Sequence, residues 1–213
     1  MSAPVSLSPK SYTVDIAGEP IELPLVPIND TLAISLLMVI DTGVRFGERI
    51  GKALAERLKA KQPDIVVGTA TLGIPVAIEV SRHLGLDQYV ILQKSPKIHL
   101  GDALVEHVKS VTSAGSQRLL LDRRAIPLLK GRRVVVVDDV VATGSSLAAT
   151  LRLVRQAGAN VVGIGVILTE SHDWREVLGA DADLVVGLGH IPQFKIENGR
   201  ATPDPVTLAG ARG

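Results

Sequence analysis

Cysteine is missing altogether from this chain, which excludes disulfides and thiolate metal sites and fits a reducing compartment. Neither sign of charge is in excess, since 23 Lys and Arg stand against 22 Asp and Glu for a formal net charge of +1. That balance gives no polyelectrolyte signature for nucleic acid or an anionic membrane surface, so partners are sought in a local site. Long hydrophobic runs are missing too. The longest near the start, Leu32 to Ile40, is cut off by Asp41 and is too short to cross a bilayer. Met1 to Lys10 lacks the basic and apolar regions of a secretory signal, and a cytoplasmic protein is the expectation. The 5 histidines are scattered, and none forms a metal-ligand spacing with another. No G-x-G-x-x-G follows any predicted strand, which sets aside a dinucleotide-dependent oxidoreductase, and no G-x-x-x-x-G-K-[ST] loop is present.

What is present concentrates in Arg133 to Ser146, RVVVVDDVVATGSS. Val134 to Val137 form a β-branched run without polar alternation, the pattern of a strand buried on both faces of a parallel sheet. Two carboxylates, Asp138 and Asp139, come next, then the small, hydroxyl-rich turn Ala142, Thr143, Gly144, Ser145 and Ser146. Leu147, Leu151 and Val154 follow at helix spacing, with Gly158 placed as a cap. A strand that hands a glycine-containing turn to a helix N-terminus aims backbone N–H groups and a partial positive charge at one spot, which suits a phosphate. The hydroxyls of Thr143, Ser145 and Ser146 add donors, and a loop without lysine suits a terminal monoester better than a triphosphate chain. Adjacent carboxylates can accept from neighbouring hydroxyls, as on a ribose. Phosphate plus diol spells a ribose 5-phosphate. Taken singly, two aspartates that end a strand and a small turn are ordinary punctuation; their order is what argues for a site.

The rest of the chain reads as one domain over residues 11–213 after a poorly ordered tail of residues 1–10, with its core over residues 60–190. Alternation at Tyr12, Val14 and Ile16, a turn at Gly18-Glu19, and alternation at Ile21, Leu23 and Leu25 predict a β-hairpin, with Pro24 and Pro27 making its second arm an edge strand or one that leaves the sheet early. Asp30 to Ile40 reads equally as helix or strand. Phe46, Ile50, Leu54 and Leu58 predict a core-packing helix over Val44 to Lys61. Asp64 to Gly68 is the first parallel strand, and the turn Thr69, Ala70, Thr71, Leu72, Gly73 leads into a helix through Leu84, a second strand-turn-helix of the kind that binds anions or merely connects. Tyr89 to Leu92 is the next strand and delivers Lys94 to its end. Ile98 to Gln117 loses periodicity and reads as a lid or an unstructured loop. Val161 to Leu168 is another buried strand, with Thr169, Glu170 and Trp174 just beyond it; Asp183 to Leu188 is the last, and Ile191 onward trails off through Pro and Gly. Strands near 65, 90, 134 and 162 separated by helices specify an α/β fold with a doubly wound, mostly parallel sheet, whose ligands bind at strand C-termini.

At VVVVDDVVATGSS the chain resembles the type I phosphoribosyltransferases and their relatives, which bind 5-phosphoribosyl-1-pyrophosphate (PRPP). The resemblance spans roughly residues 60 to 190. It implies that Asp138 and Asp139 hold the ribose hydroxyls, with a magnesium ion nearby, and that Ala142 to Ser146 wrap the 5-phosphate. It gives Ala70, Thr71, Leu72, Gly73 and Lys94 to the pyrophosphate, Val140, Val141, Thr169 and Glu170 to the base, and the stretch 98–117 to a catalytic lid. The hairpin within residues 11–40 becomes a small hood over the site. The implied activity is transfer of the 5-phosphoribosyl group from PRPP to a purine base, adenine first and xanthine, guanine or hypoxanthine next, in a magnesium-dependent homodimer with no nucleic acid or membrane partner. A PRPP-binding regulator without catalysis is the alternative. Two departures stand out. Ser145 replaces a frequent second glycine, and Lys109 to Gly115 replaces the Tyr-x-x-Glu-Tyr-Gly loop of adenine enzymes, with some likeness to xanthine phosphoribosyltransferases and PRPP-binding repressors.

Overall fold

The computed structural model describes residues 7–95, 103–108 and 117–208. Its centre is a parallel sheet whose middle strand is the valine run. In chain order the strands are β1 (Ser11–Ile16), β2 (Glu19–Pro27), β3 (Leu32–Ser35), β4 (Ile65–Thr69), β5 (Tyr89–Leu92), β6 (Ala103–Val108), β7 (Gln117–Asp122), β8 (Arg133–Val141), β9 (Asn160–Glu170), β10 (Val185–Ile191), β11 (Phe194–Glu197) and β12 (Arg200–Pro203). The helices are α1 (Val44–Leu58), α2 (Gly73–Leu84), α3 (Ile126–Leu129), α4 (Ser145–Gln156) and α5 (Asp173–Leu178). The main sheet runs β10-β9-β8-β4-β5, with every pairing parallel.

Burial explains why the valines do not alternate with polar residues. Val134 and Val136 pack on the face covered by α4, with Leu147, Leu151 and Val154, whereas Val135 and Val137 pack on the opposite face with Ile50, Leu54 and Val76 of α1 and α2. Each buried valine contributes about 1.5–3 kcal/mol of transfer free energy. Both faces are covered, so a polar residue anywhere in the run would be buried without a partner.

The order of strands creates the crevice. From β4 the chain turns through α2 to β5 on one side, and from β8 it turns through α4 to β9 on the other, so the two βα turns diverge between neighbouring strands. That is the switch point at which open α/β sheets bind ligands. The β4–β8 ladder stops at Gly68 and Val137, while β9 keeps pairing with β8 as far as Val141. Asp138 and Asp139 therefore lie inside the strand, not just past its end as the sequence pattern predicts. The edge of β8 that faces β4 is open from Asp138 onward.

The expected hairpin is present as antiparallel β1 and β2, but it is part of a larger second sheet. Its order is β1-β2-β3-β11-β12, so the C-terminal chain expected to trail off supplies two of five strands. Asn198 and Gly199 both have positive φ, the backbone of a tight β11–β12 turn. Nor is β2 an edge strand: Glu19 to Pro24 pair with β1, and Leu25 to Pro27 pair with β3. Pro24 falls at the changeover, where a missing N–H costs no ladder bond. Residues 1–6 of the expected tail lie outside the described residues, but Leu7 is buried beside Phe194, and Ser8 exchanges backbone bonds with Gly199 and Ala201.

Part of the expected lid is regular. Residues 98–102 and 109–116 lie outside the described residues, but β6 pairs with β7 from Ala103–Asp122 to Val108–Gln117. Leu104, Val108, Leu119 and Leu121 seat this hairpin on the α4 side of the core.

Candidate active site

Two turns meet at the open edge of β8. The first, Ala142 to Gly144, leaves β8 and starts α4 at Ser145, with Gly144 left-handed at φ 78°. Thr143 Oγ1 donates to Ser145 Oγ and accepts from the Ser145 N–H, each at 3.4 Å. The second turn joins β4 to α2. Its Ala70 N–H donates to the Leu92 carbonyl at 2.9 Å, the Ala70–Thr71 peptide is cis, and Gly73 opens the helix.

Asp138 links the turns. A Cβ on Gly73 would lie 2.9 Å from Asp138 Oδ1, so only glycine lets the helix start come this close to the carboxylate. The Asp139 N–H donates back to Asp138 Oδ1 at 3.1 Å. Burial lifts the Asp138 carboxyl well above the ordinary carboxylate range, the neighbouring Asp139 charge adds to the rise, and Lys94 pulls the other way. Lys94 thus acts electrostatically on Asp138 although it belongs to another strand end. It is exposed, and it follows Gln93, whose N–H and carbonyl exchange bonds with Leu120 of β7 at 2.9 and 2.8 Å.

A cleft of about 160 Å³ opens here, lined by Asp138, Val140, Val141, Ala142, Thr143, Gly144, Ser146 and Leu147. Residues from the acidic pair, the hydroxyl turn and the two valines thus share one surface. Ser145 is different: as the first residue of α4 it lines a separate groove with His107, Ala148, Arg152 and Val177. Thr169 and Glu170, expected as base contacts, have side-chain partners of their own. Thr169 Oγ1 is 2.9 Å from His190 Nδ1, and Glu170 is buried with its Oε1 accepting from Gln193 Nε2 at 3.4 Å. Neither is among the residues that line the cleft. Burial raises the Glu170 carboxyl, against the Gln193 bond.

Trp174 is a packing residue. It is buried, its Nε1 donates to the Ser171 carbonyl at 3.3 Å, and Arg175 lies over its ring. A Cβ on Gly144 would meet its Cα at 3.1 Å and its carbonyl at 3.2 Å. The phosphate-type turn therefore rests on the first turn of α5. Leu147 is the one cleft residue that the sequence marks only as a helix-stripe position.

Residues 40–186 match the profile of the phosphoribosyl transferase domain. The chain is 36% identical over 125 residues to a xanthine phosphoribosyltransferase of Exiguobacterium, covering 58% of this chain and 63% of that protein. It is 32% identical over 126 residues to an orotate phosphoribosyltransferase of Caldanaerobacter subterraneus, covering 59% of this chain and 55% of the relative. The match therefore spans less than two thirds of each of these relatives. The fold is similar to adenine phosphoribosyltransferase of Thermoanaerobacter pseudethanolicus, with TM-score 0.65, 20% identity, and 79% and 95% of the two chains covered. Adenine phosphoribosyltransferase of Giardia lamblia, solved with 9-deazaadenine, gives TM-score 0.65 at 22% identity over 78% and 92% of the chains.

Proposed function

We propose that this chain, which belongs to the phosphoribosyl transferase domain family, transfers the 5-phosphoribosyl group of PRPP to a ring nitrogen of a purine base. Pyrophosphate leaves and a nucleoside monophosphate forms. One observation carries the reading: the Asp138 carboxyl, in the same cleft as the Ala142 to Ser146 turn, touches the Gly73 end of the second turn and feels the Lys94 charge. In this reading Asp138 and Asp139 accept from the ribose hydroxyls, and the N–H groups of Thr143 to Ser146 cradle the 5-phosphate. Ala70 to Gly73 and Lys94 take the pyrophosphate. Val140 and Val141 give the base an apolar wall.

Asp138 at the cleft and its neighbour Asp139 carry hard carboxylate donors, which is the chemistry a magnesium ion takes. When bound with the substrate, such an ion neutralises the charge of the departing pyrophosphate. Lys94 would add a point charge on the same leaving group. Lys94→Ala is expected to lower kcat/KM for PRPP by roughly 5- to 30-fold, the equivalent of about 1–2 kcal/mol. The melting temperature should stay put because Lys94 is exposed. Unchanged kinetics would make Lys94 a bystander.

The sequence puts adenine first, but the 36% identity to a xanthine enzyme favours xanthine, with adenine next and guanine and hypoxanthine after them. Incubating the protein with PRPP, magnesium and each of these purines, with orotate as a further arm, and reading pyrophosphate release tests both levels. Release with a purine supports the reading. Release with orotate alone overturns the purine assignment, and no release with any base overturns the transfer reaction.

A further inference from the structure

Two imidazoles that the proposed reaction does not use face the C-terminal chain. His190 is the next-to-last residue of β10 and His172 immediately precedes α5; their rings stack with centroids 5.1 Å apart and planes 14° apart. His190 Nε2 lies 2.8 Å from the Thr207 carbonyl, and His172 Nε2 lies 3.0 Å from the Leu208 carbonyl. A carbonyl only accepts, so each Nε2 must carry the proton in the neutral ring. His190 Nδ1 then accepts from Thr169 Oγ1, 2.9 Å away. The buried Thr207 is fastened once more, its Oγ1 donating to the Asp204 carbonyl at 2.8 Å and accepting from the Gln193 N–H at 3.0 Å.

Residues 204–208 thus form a strap across the carboxyl ends of β9 and β10. We propose that His190, stacked on His172, acts as a proton-sensitive clasp that holds this strap while its ring is neutral and loosens it when the ring is charged. Two stacked imidazolium rings repel, and a partly buried ring resists charging. Burial pushes the His190 imidazole below its ordinary value; the Thr207 carbonyl opposes this, while His172 and Arg175 add to it. The other ionisable groups on the packed elements are Glu170 of β9, turned to Gln193, Asp173, Arg175 and Glu176 of α5, and the Lys195–Asp204 ion pair beside the strap. Among the described residues neither ring bonds to a carboxylate that would stabilise its charge.

The sign follows from linkage. The closed strap binds protons more weakly than the open one, so it holds above the ordinary imidazole value and gives way as pH falls through that range. The effect reaches the cleft because Thr169, whose hydroxyl His190 engages, is the ladder partner of the cleft residue Val141. Protonation of His190 Nδ1 reverses that bond: the Thr169 oxygen then accepts, and its proton turns to another acceptor.

Hydrogen exchange on the full, ligand-free chain from about pH 8 to about pH 5, corrected for intrinsic rates, tests the clasp. The Thr207 amide should open at least a few-fold more as pH falls through the imidazole range, while the β11–β12 amides do not follow. His190→Gln and His172→Gln, which keep polar atoms without a titrating charge, should flatten that dependence. Protection independent of pH in the wild type, or a wild-type pH dependence retained in both variants, overturns the proposal. If a variant fails to fold, the wild-type imidazole proton resonances still decide: a His190 titration below the ordinary value supports the clasp, and an ordinary His190 titration overturns it. Because no arm reads turnover, failure of the clasp and failure of the transferase reading are separate results.

Discussion

Asp138→Asn with Asp139→Asn is expected to abolish PRPP binding and, in the same protein, to raise the melting temperature. The binding loss follows from chemistry. In the proposed reading each aspartate would accept from a ribose hydroxyl as an ion, and hydrogen bonds to charged groups contribute roughly 1.5–3 kcal/mol each. Losing two weakens affinity by about 10²- to 10⁴-fold. The stability gain follows from burial. The Asp138 carboxyl is raised well above its ordinary range, first by burial and then by Asp139. A carboxyl whose folded value lies above its unfolded value binds its proton more tightly in the native state, so the native state loses stability as pH rises and the group ionises. Asparagine removes that cost and can still accept the Asp139-position N–H. The gain should be largest above neutral pH and vanish below about pH 4, where the wild-type carboxyl is protonated folded and unfolded alike. Calorimetric titration with PRPP and thermal scans at several pH values check both halves. An affinity within a few-fold of wild type sinks the ribose assignment, and a lowered melting temperature sinks the account of the buried charge.

That opposition between function and stability explains why the site is so readable in the chain. Val134 to Val137 can be read because a strand covered on both faces has no tolerance for polar alternation, and the Asp-Asp pair can be read because carboxylates so near a buried strand need a reason to be there. The end of β8 cannot be read from β8. It is set by β4, which stops pairing at Val137, and by β9, which continues to Val141. Thr169 and Glu170 show the same limit: sequence gives their level on the sheet, while their partners His190 and Gln193 arrive from some twenty residues away. The C-terminal strands were legible after all. Asn198-Gly199 between Phe194, Ile196 and Ala201 is a hairpin signal, which Pro and Gly elsewhere in the tail obscure.

Gly144→Val is the second large effect, and it separates the backbone of the turn from its hydroxyls. At φ 78° the residue is left-handed, a conformation that costs an L side chain about 1–2 kcal/mol. The new Cβ would also meet the Trp174 Cα at 3.1 Å and carbonyl at 3.2 Å, which are backbone atoms under a buried ring and cannot swing aside. Overpacking of that kind adds about 1–3 kcal/mol. At roughly 2–4 °C per kcal/mol for a chain of this size, the melting temperature should drop by about 5–20 °C. PRPP binding should be lost with it, because relief of the clash moves the N–H groups that aim at the phosphate. Thr143→Ala supplies the contrast, since Thr143 is exposed and its hydroxyl bonds Ser145 alone among the described residues. It should leave the melting temperature alone and raise the KM for PRPP by roughly 10- to 150-fold, the value of one hydrogen bond to a charged group. Wild-type affinity in a folded Gly144→Val protein would show that the phosphate is not held by this turn. A Thr143→Ala variant that loses stability but not affinity would show that the hydroxyl serves the fold alone.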